Sequence, residues 1–415
     1  MRKSVIRKKA LALSGGGPAV GIEIGALKAF EEKGIDFDIF SCACVGSWIG
    51  CLYNSLSPGP DKMKKVEDFF FDKIFIPDDI YESFPICYKV FRVNYFEDMK
   101  KYAEKLFNPD TYQNLFLLDR IMQYFQQMQS NPPKTGDEIN YYISEGLALN
   151  PMVRLMSEII YKVKKSGIAG LVNSTDFVEA NINMENLFKS DKLVYLNAYN
   201  MTKAKLERFI NRKEHKEYAP ISADALMAGS SVLEYTENRT IGSAPDKYCE
   251  GAVINTVELD TLLEHDHKRE LDEIWVVKIA DYQEVKPPKN LIEAALTAVM
   301  LPFDTISDDD IEIFSHHLTQ ISDREKTRLI KINMNYGAVN YHWNHSNLKE
   351  SIETGYKGTI KAIEEYEKKQ KIETRSSAKR ERVINLLTPH KAMRAERWNL
   401  DDKRKKKEVL QIKNS

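Results

Sequence analysis

The chain has 415 residues, 43% of them hydrophobic and 29% charged, with a formal net charge of −1. That length suits one α/β domain carrying a large insertion. The near-zero charge gives no overall pull towards nucleic acid, which is not expected as a partner. In chain order, "KKALALS" (8–14) reads as a buried first strand. The loop "GGGPAVG" and the amphipathic stretch "IEIGALKAFEEKG" follow, the latter capped by Gly34. "IDFDIFSC" is a second strand, and "VGSWIGCLYNSL" a second helix stopped by Ser57, Pro58, Gly59 and Pro60. Two βα units within residues 1–60 predict a mainly parallel sheet with helices on both faces.

From 61 to 191 the strand signals fade, and a helical insertion is expected. It follows the second βα unit and is expected to cover the carboxyl edge of the sheet as a lid. "FFFDKIFI" (69–76) is its most apolar stretch, read either as the core of an ordinary helical subdomain or as a contact for acyl chains or lipid. Sheet texture returns over 192–371 with "KLVYLNAYNM", "DKYCEGAVINT" and "EIWVVKIA"; "ISADALMAGSS" reads as a small-residue helix. "TRLIKINMNY" fits a strand or a helix start, and "HSNLKESIETGYKGTIKAIEEYEKKQK" is a long amphipathic helix. Residues 372–415 form a basic tail. With Arg2, Lys3, Arg7, Lys8 and Lys9 it is either solubilising or a contact for an anionic membrane or lipid surface.

The five cysteines (Cys42, Cys44, Cys51, Cys87 and Cys249) are odd in number and include no C-x-x-C pair. Neither a disulfide framework nor zinc is expected, and a cytoplasmic setting is. There is no apolar stretch of secretory length at the N-terminus and no run of membrane-spanning length. His316 and His317 adjoin on a helical pattern near Asp308–Asp310, but neighbouring histidines point to different sides. No metal or other cofactor is expected.

"SGGGPAVG" lets backbone N–H groups approach an anion, with the following helix start adding positive potential. Pro18 suits a first helical turn. A dinucleotide site fits poorly, because Val20 stands at the last glycine position and Asp36 and Asp38 lie at the start of the second strand. A phosphate loop lacks its Lys-Ser/Thr pair. The remaining readings are a reaction oxyanion or a structural turn.

"CACVG" (42–46) has the outline of a strand-to-helix nucleophile elbow, with Cys44 at its centre. Cys42, Ala43 and Gly46 are small, as a close strand–helix crossing demands. The helix start beyond Cys44 is expected to favour its thiolate. Ser47 lies too far into the helix to be the nucleophile. Far downstream, "CEGAV" offers the carboxylate of Glu250 followed by Gly251 and Ala252.

Glycine triplet, elbow and carboxylate-glycine-small motif, in this order, resemble the patatin-like phospholipase family. "LALSGGGPAVGIEIGALKAFEEKGIDFDIF", "SADALMAGSSV" and "KYCEGAVINT" carry the likeness further. The resemblance implies a three-layer α/β/α fold and hydrolysis of lipid or other acyl esters. It implies a nucleophile–carboxylate dyad without histidine, and an oxyanion hole at Gly15, Gly16 and Gly17. Here Cys44 stands where the family has serine, Glu250 where it has aspartate, and Cys42 where it has the first elbow glycine. Cys42 and Gly46 would then support the elbow. A Cys–Glu pair is chemically workable, since a thiol needs less help from a base than a hydroxyl. Some enzymes of bacterial storage polyesters also place cysteine in a lipase-like elbow, so such polyesters join phospholipids as expected substrates. The alternative is an inactive lipid- or acyl-binding member of the fold.

Overall fold

The first strand, β1 (Lys8–Leu13), buries every side chain from Ala10 to Leu13. A strand covered on both faces carries no polar alternation, and this one lies inside a parallel sheet. In this computed structural model the described residues are 8–83, 89, 92–93, 100, 103–104, 106–110, 115, 117–157, 171–172, 175–233, 236, 238–264, 270–279, 287, 291–320, 327–332, 334, 342–375 and 383–384. The tail beyond residue 375, apart from 383–384, lies outside them, as do Arg2, Lys3, Arg7 and Cys87.

β1 pairs in parallel with β2 (Ile39–Cys42) and, on its other side, with β9 (Leu271–Val277). β2 pairs in parallel with β5 (Leu193–Asn200), and β9 with β10 (Arg328–Ile332), which carries β11 (Val383–Ile384). β5 turns back into antiparallel β6 (Lys205–Ile210), which pairs with β7 (Ala219–Pro220). The order is β11-β10-β9-β1-β2-β5-β6-β7, with β8 (Tyr248–Glu250) antiparallel beside the end of β5. β3 (Arg92–Val93) and β4 (Leu171–Val172) form a separate pair. "TRLIKINMNY", open between strand and helix, supplies β10.

Alternation within the strands divides the core in two. Leu11, Leu13, Phe40, Val194, Leu196 and Trp275 face one apolar layer, with α1 (Gly21–Glu32), α2 (Val45–Ser55) and the front of α13 (His345–Arg375). Ala10, Ala12, Ile39, Tyr195, Ile274 and Val276 face the other, against α11 (Asp260–Glu264) and α12 (Leu291–Gln320). Each large apolar side chain so covered contributes about 1.5–3 kcal/mol. This is the expected three-layer α/β/α arrangement. α1 and α13 meet backbone to backbone: a Cβ on Gly25 would lie 2.0 Å from the Ile352 carbonyl oxygen, and one on Gly355 2.0 Å from that of Ile22.

The 61–191 segment is mainly helical: α3 (Lys62–Phe69), a π-helical turn (Phe70–Ile74), α4 (Asp78–Ser83), α5 (Leu118–Ser130), α6 (Gly136–Leu149), α7 (Pro151–Ser157), α8 (Thr175–Asn181) and α9 (Met184–Lys189). Its two ends belong to the core. Phe69, Phe70, Ile74, Phe75 and Ile76 are buried, and Phe69 stacks on Trp48 of α2. Val178 of α8 and Leu187 of α9 are buried in the same layer. Of the two readings of Phe69–Ile76, burial favours the core: covering this much aromatic surface stabilises the domain itself. Among the described residues, no helix is long and apolar enough to cross a membrane.

Candidate active site

β2 ends at Cys42, and α2 begins at Val45, leaving two residues for the turn. Cys44 takes φ 50° and ψ −123°, a left-handed backbone that a non-glycine residue adopts only under constraint. The constraint is close packing. A Cβ on Gly46 would stand 2.7 Å from the Leu13 carbonyl oxygen, so only glycine lets α2 cross β1 at this distance. Cys42 is fully buried, with its sulfur 2.4 Å from where a Gly50 Cβ would be. Cys42 and Gly46 thus pack the elbow, and Cys44 stands at its apex.

Strand register brings Glu250 to the same place. Cys42 pairs with Leu196, and two residues further along β5, Ala198 pairs with Glu250 of β8. Two residues beyond Cys42 is Cys44, so β8 occupies the position that β2 vacates when it turns. The Glu250 carboxyl accordingly lies beside the Cys44 thiol and acts on its ionisation. β8 is held from its other side as well: the Glu250 N–H donates to the Ser231 carbonyl (3.0 Å). Ser231 follows α10 (Ala223–Gly229), the small-residue helix, and Ser230 Oγ accepts Trp48 Nε1 from α2 at 3.0 Å.

The glycine loop closes the third side. A Cβ on Gly15 would lie 2.9 Å from Ala252 Cβ and 3.1 Å from Cys44 Cβ. One on Gly16 would lie 2.4 Å from Ile279 Cγ2. Gly17 has φ 53° and opens a 3-10 turn with Pro18 in its first positions. The Gly16 N–H faces the Cys44 sulfur, as does that of Val45. Gly15, expected among the oxyanion donors, instead gives its N–H to the Thr256 carbonyl (3.0 Å).

The expected thiolate does not form at rest. Burial pushes the Cys44 ionisation well above the usual thiol range, and the neighbouring Glu250 carboxylate adds to it. The Gly16 and Val45 N–H groups pull the other way and are outweighed. Met300 and Phe303 of α12 pack with Cys44, Ala43 and Ala252, leaving Cys44 3% exposed. Among the described residues, α12 thus covers Cys44. Nothing in the local pattern of "AVMLPFDT" announces that role; the contact is made only by the tertiary fold.

Ser47 is fully buried in α2, its N–H bonded to the Cys44 carbonyl. His316 is exposed and near only Glu312, while Asp308 pairs with Lys278 and Lys331. No group of three or more potential metal ligands occurs among the described residues. Glu23, missed from the sequence, is fully buried beneath the glycine loop, and burial raises its ionisation well above the usual carboxylate range.

A parallel α/β/α sheet with a strained elbow at its carboxyl edge, beside a glycine loop and a buried carboxyl, defines the scaffold of an acyl hydrolase. The family model described as patatin-like phospholipase matches residues 11–263, and the chain belongs to that family. Similar solved structures include VipD from Legionella pneumophila, at 14% identity and TM-score 0.37, with 87% of this chain and 67% of that chain covered. The type III effector protein ExoU is similar at 11% identity and TM-score 0.28, covering 87% of this chain and 53% of that one. The ExoU–SpcU complex of the Pseudomonas aeruginosa type III secretion system gives 15% identity and TM-score 0.22, covering 89% and 61%. The chain thus spans about half to two thirds of the length of these proteins. A comparison with curated proteins returns no match.

Proposed function

We propose that this chain cleaves lipid or other acyl esters, with Cys44 as nucleophile and Glu250 as its base. The observation that carries the reading is the strand register that sets the Glu250 carboxyl beside the Cys44 thiol, with the Gly16 N–H facing the same sulfur. Cys44 Sγ attacks the acyl carbon as its proton passes to Glu250. The oxyanion that forms accepts N–H groups from Gly16 and Gly17, while Gly15, its own N–H committed, lets the loop approach Cys44. Collapse expels the alcohol, which takes the proton from Glu250, and leaves a thioester on Cys44. Water then attacks as Glu250 takes its proton. Collapse frees the acid, and the proton returns to sulfur. No metal or cofactor enters.

The burial of an un-ionised Cys44 under Met300 and Phe303 favours a second reading, an acyl-binding protein without turnover. Hydrolysis of a short-chain nitrophenyl ester by wild type, Cys44→Ala and Glu250→Ala separates the two. The first reading expects turnover in the wild type alone, with an acyl adduct on the Cys44 peptide by mass. Equal rates in all three would sink it. Contact of the 372–415 tail with anionic lipid belongs to the same proposal. Cosedimentation with anionic vesicles that survives deletion of the tail removes that part.

A further inference from the structure

α12 carries more than the cover over Cys44. On its inner side Asp304 and Asp308 accept the fully buried Lys278 at 2.6 and 2.8 Å, and Lys331 reaches Asp308 at 3.0 Å. These pairs clamp the helix to the ends of β9 and β10. Asp310 makes a different contact: its Oδ2 accepts the Val257 N–H at 3.0 Å, and the Thr256 N–H also faces its carboxylate.

Val257 N–H and the Thr256 carbonyl belong to one peptide unit. Among the described residues there are no cis peptide bonds, so the two groups point in opposite directions within that plane. Fixing the N–H on Asp310 aims the carbonyl away from α12, and the carbonyl receives the Gly15 N–H at 3.0 Å. From Gly15 the loop passes directly to Gly16, whose N–H faces Cys44. The same turn reaches the other side of the site, since Thr256 Oγ1 donates to the Ala252 carbonyl at 2.9 Å, two residues after Glu250.

We propose that Asp310 is a positioning residue: through the Thr256–Val257 peptide it sets the orientation of the glycine loop relative to Cys44. The proposal rests on the acyl-hydrolase reading for its kinetic consequence, but not for its structural one. Asp310 also brings pH dependence. Burial raises its ionisation to about 7, the Val257 and Thr256 N–H groups oppose this, and the charges of Glu258 and Asp260 add to it. Glu258 is itself answered by Arg208 of β6 at 3.0 Å. Above about 7 the ionised carboxylate is the stronger acceptor, so the hold on the turn tightens as pH rises and relaxes as pH falls.

The test uses the full chain with Asp310→Ala and Asp310→Asn. Asp310→Ala is expected to lower kcat for a nitrophenyl ester by about 10-fold or more with KM within about 2-fold, as for a misplaced oxyanion donor. Asp310→Asn keeps an acceptor oxygen. It is expected to recover most of kcat and to lose the kcat inflection near pH 7 expected of the wild type. Unchanged kcat in Asp310→Ala overturns the proposal. If that variant does not fold, an Asp310→Asn profile that still bends near pH 7 does the same. A wild type without hydrolysis would defeat the functional reading only. Amide exchange then decides: the Gly15 N–H is expected to exchange about tenfold faster in Asp310→Asn at pH 8 than in wild type, and equal protection overturns the proposal.

Discussion

Strand register sets the carboxyl of Glu250 beside the thiol of Cys44, and its negative charge holds that thiol in its protonated form. One contact thus has two opposite consequences. In the proposed reaction it gives the proton a destination during acyl transfer, and at rest it suppresses the free thiolate.

Glu250→Gln separates these effects. Removing the charge lowers the Cys44 ionisation from its raised position, so a larger fraction is thiolate at neutral pH. Alkylation of Cys44 by iodoacetamide, followed on its tryptic peptide, is expected to be slow in wild type at pH 7 and faster in Glu250→Gln. Ester hydrolysis is expected to move the other way, falling about 100-fold or more as the base is lost. Slower alkylation in the variant would contradict the arrangement.

Glu23 makes stability depend on pH. Its carboxyl is fully buried, and its ionisation is raised well above the usual range in the fold. In the unfolded chain it ionises near the ordinary value of about 4.3, so above that pH the unfolded state binds fewer protons than the native state. Stability therefore declines as pH rises from there towards the raised folded value. Glu23→Gln removes this slope. Its Tm is expected to match wild type near pH 4 and to exceed it increasingly between pH 5 and 8, by differential scanning fluorimetry.

The α1–α13 crossing leaves no room for a methyl group. Gly25→Ala places a Cβ against the backbone at Ile352, and the helices must part to admit it. A loss of about 1–3 kcal/mol in urea unfolding is expected. Gly59→Ala meets nothing within 4 Å and is expected to change stability little.

Lys278→Met takes the buried cation away from both Asp304 and Asp308. Breaking a buried ion pair on one side costs about 3–5 kcal/mol, and urea unfolding is expected to show a loss of that order. Adding Asp304→Asn is expected to recover part of it by removing the uncompensated charge.

Much of this was legible in local pattern. "KKALALS", "IDFDIFSC" and "EIWVVKIA" read as strands because apolar runs of that length fit a sheet covered on both faces. The elbow was legible because its small residues sit where backbone must approach backbone, as Gly46 and Leu13 do. What escaped depends on contacts distant in sequence. β8 is three residues long, and its antiparallel place beside β5 follows from the register of a strand fifty residues earlier. The cover by Met300 and Phe303 has no sequence period to announce it. The helix-end argument for a thiolate at Cys44 failed because burial and Glu250 act more strongly than two N–H groups. Phe69–Ile76 stood open between core and lipid contact because composition does not tell a core helix from a surface one.

The cover over Cys44 also bears on chemical durability. Peroxide and other oxidants convert solvent-accessible thiolates to sulfenic acid, and attack both buried and protonated thiols poorly. With Cys44 un-ionised and 3% exposed beneath Met300 and Phe303, its sulfur is shielded from the oxidative liability that an exposed thiolate carries.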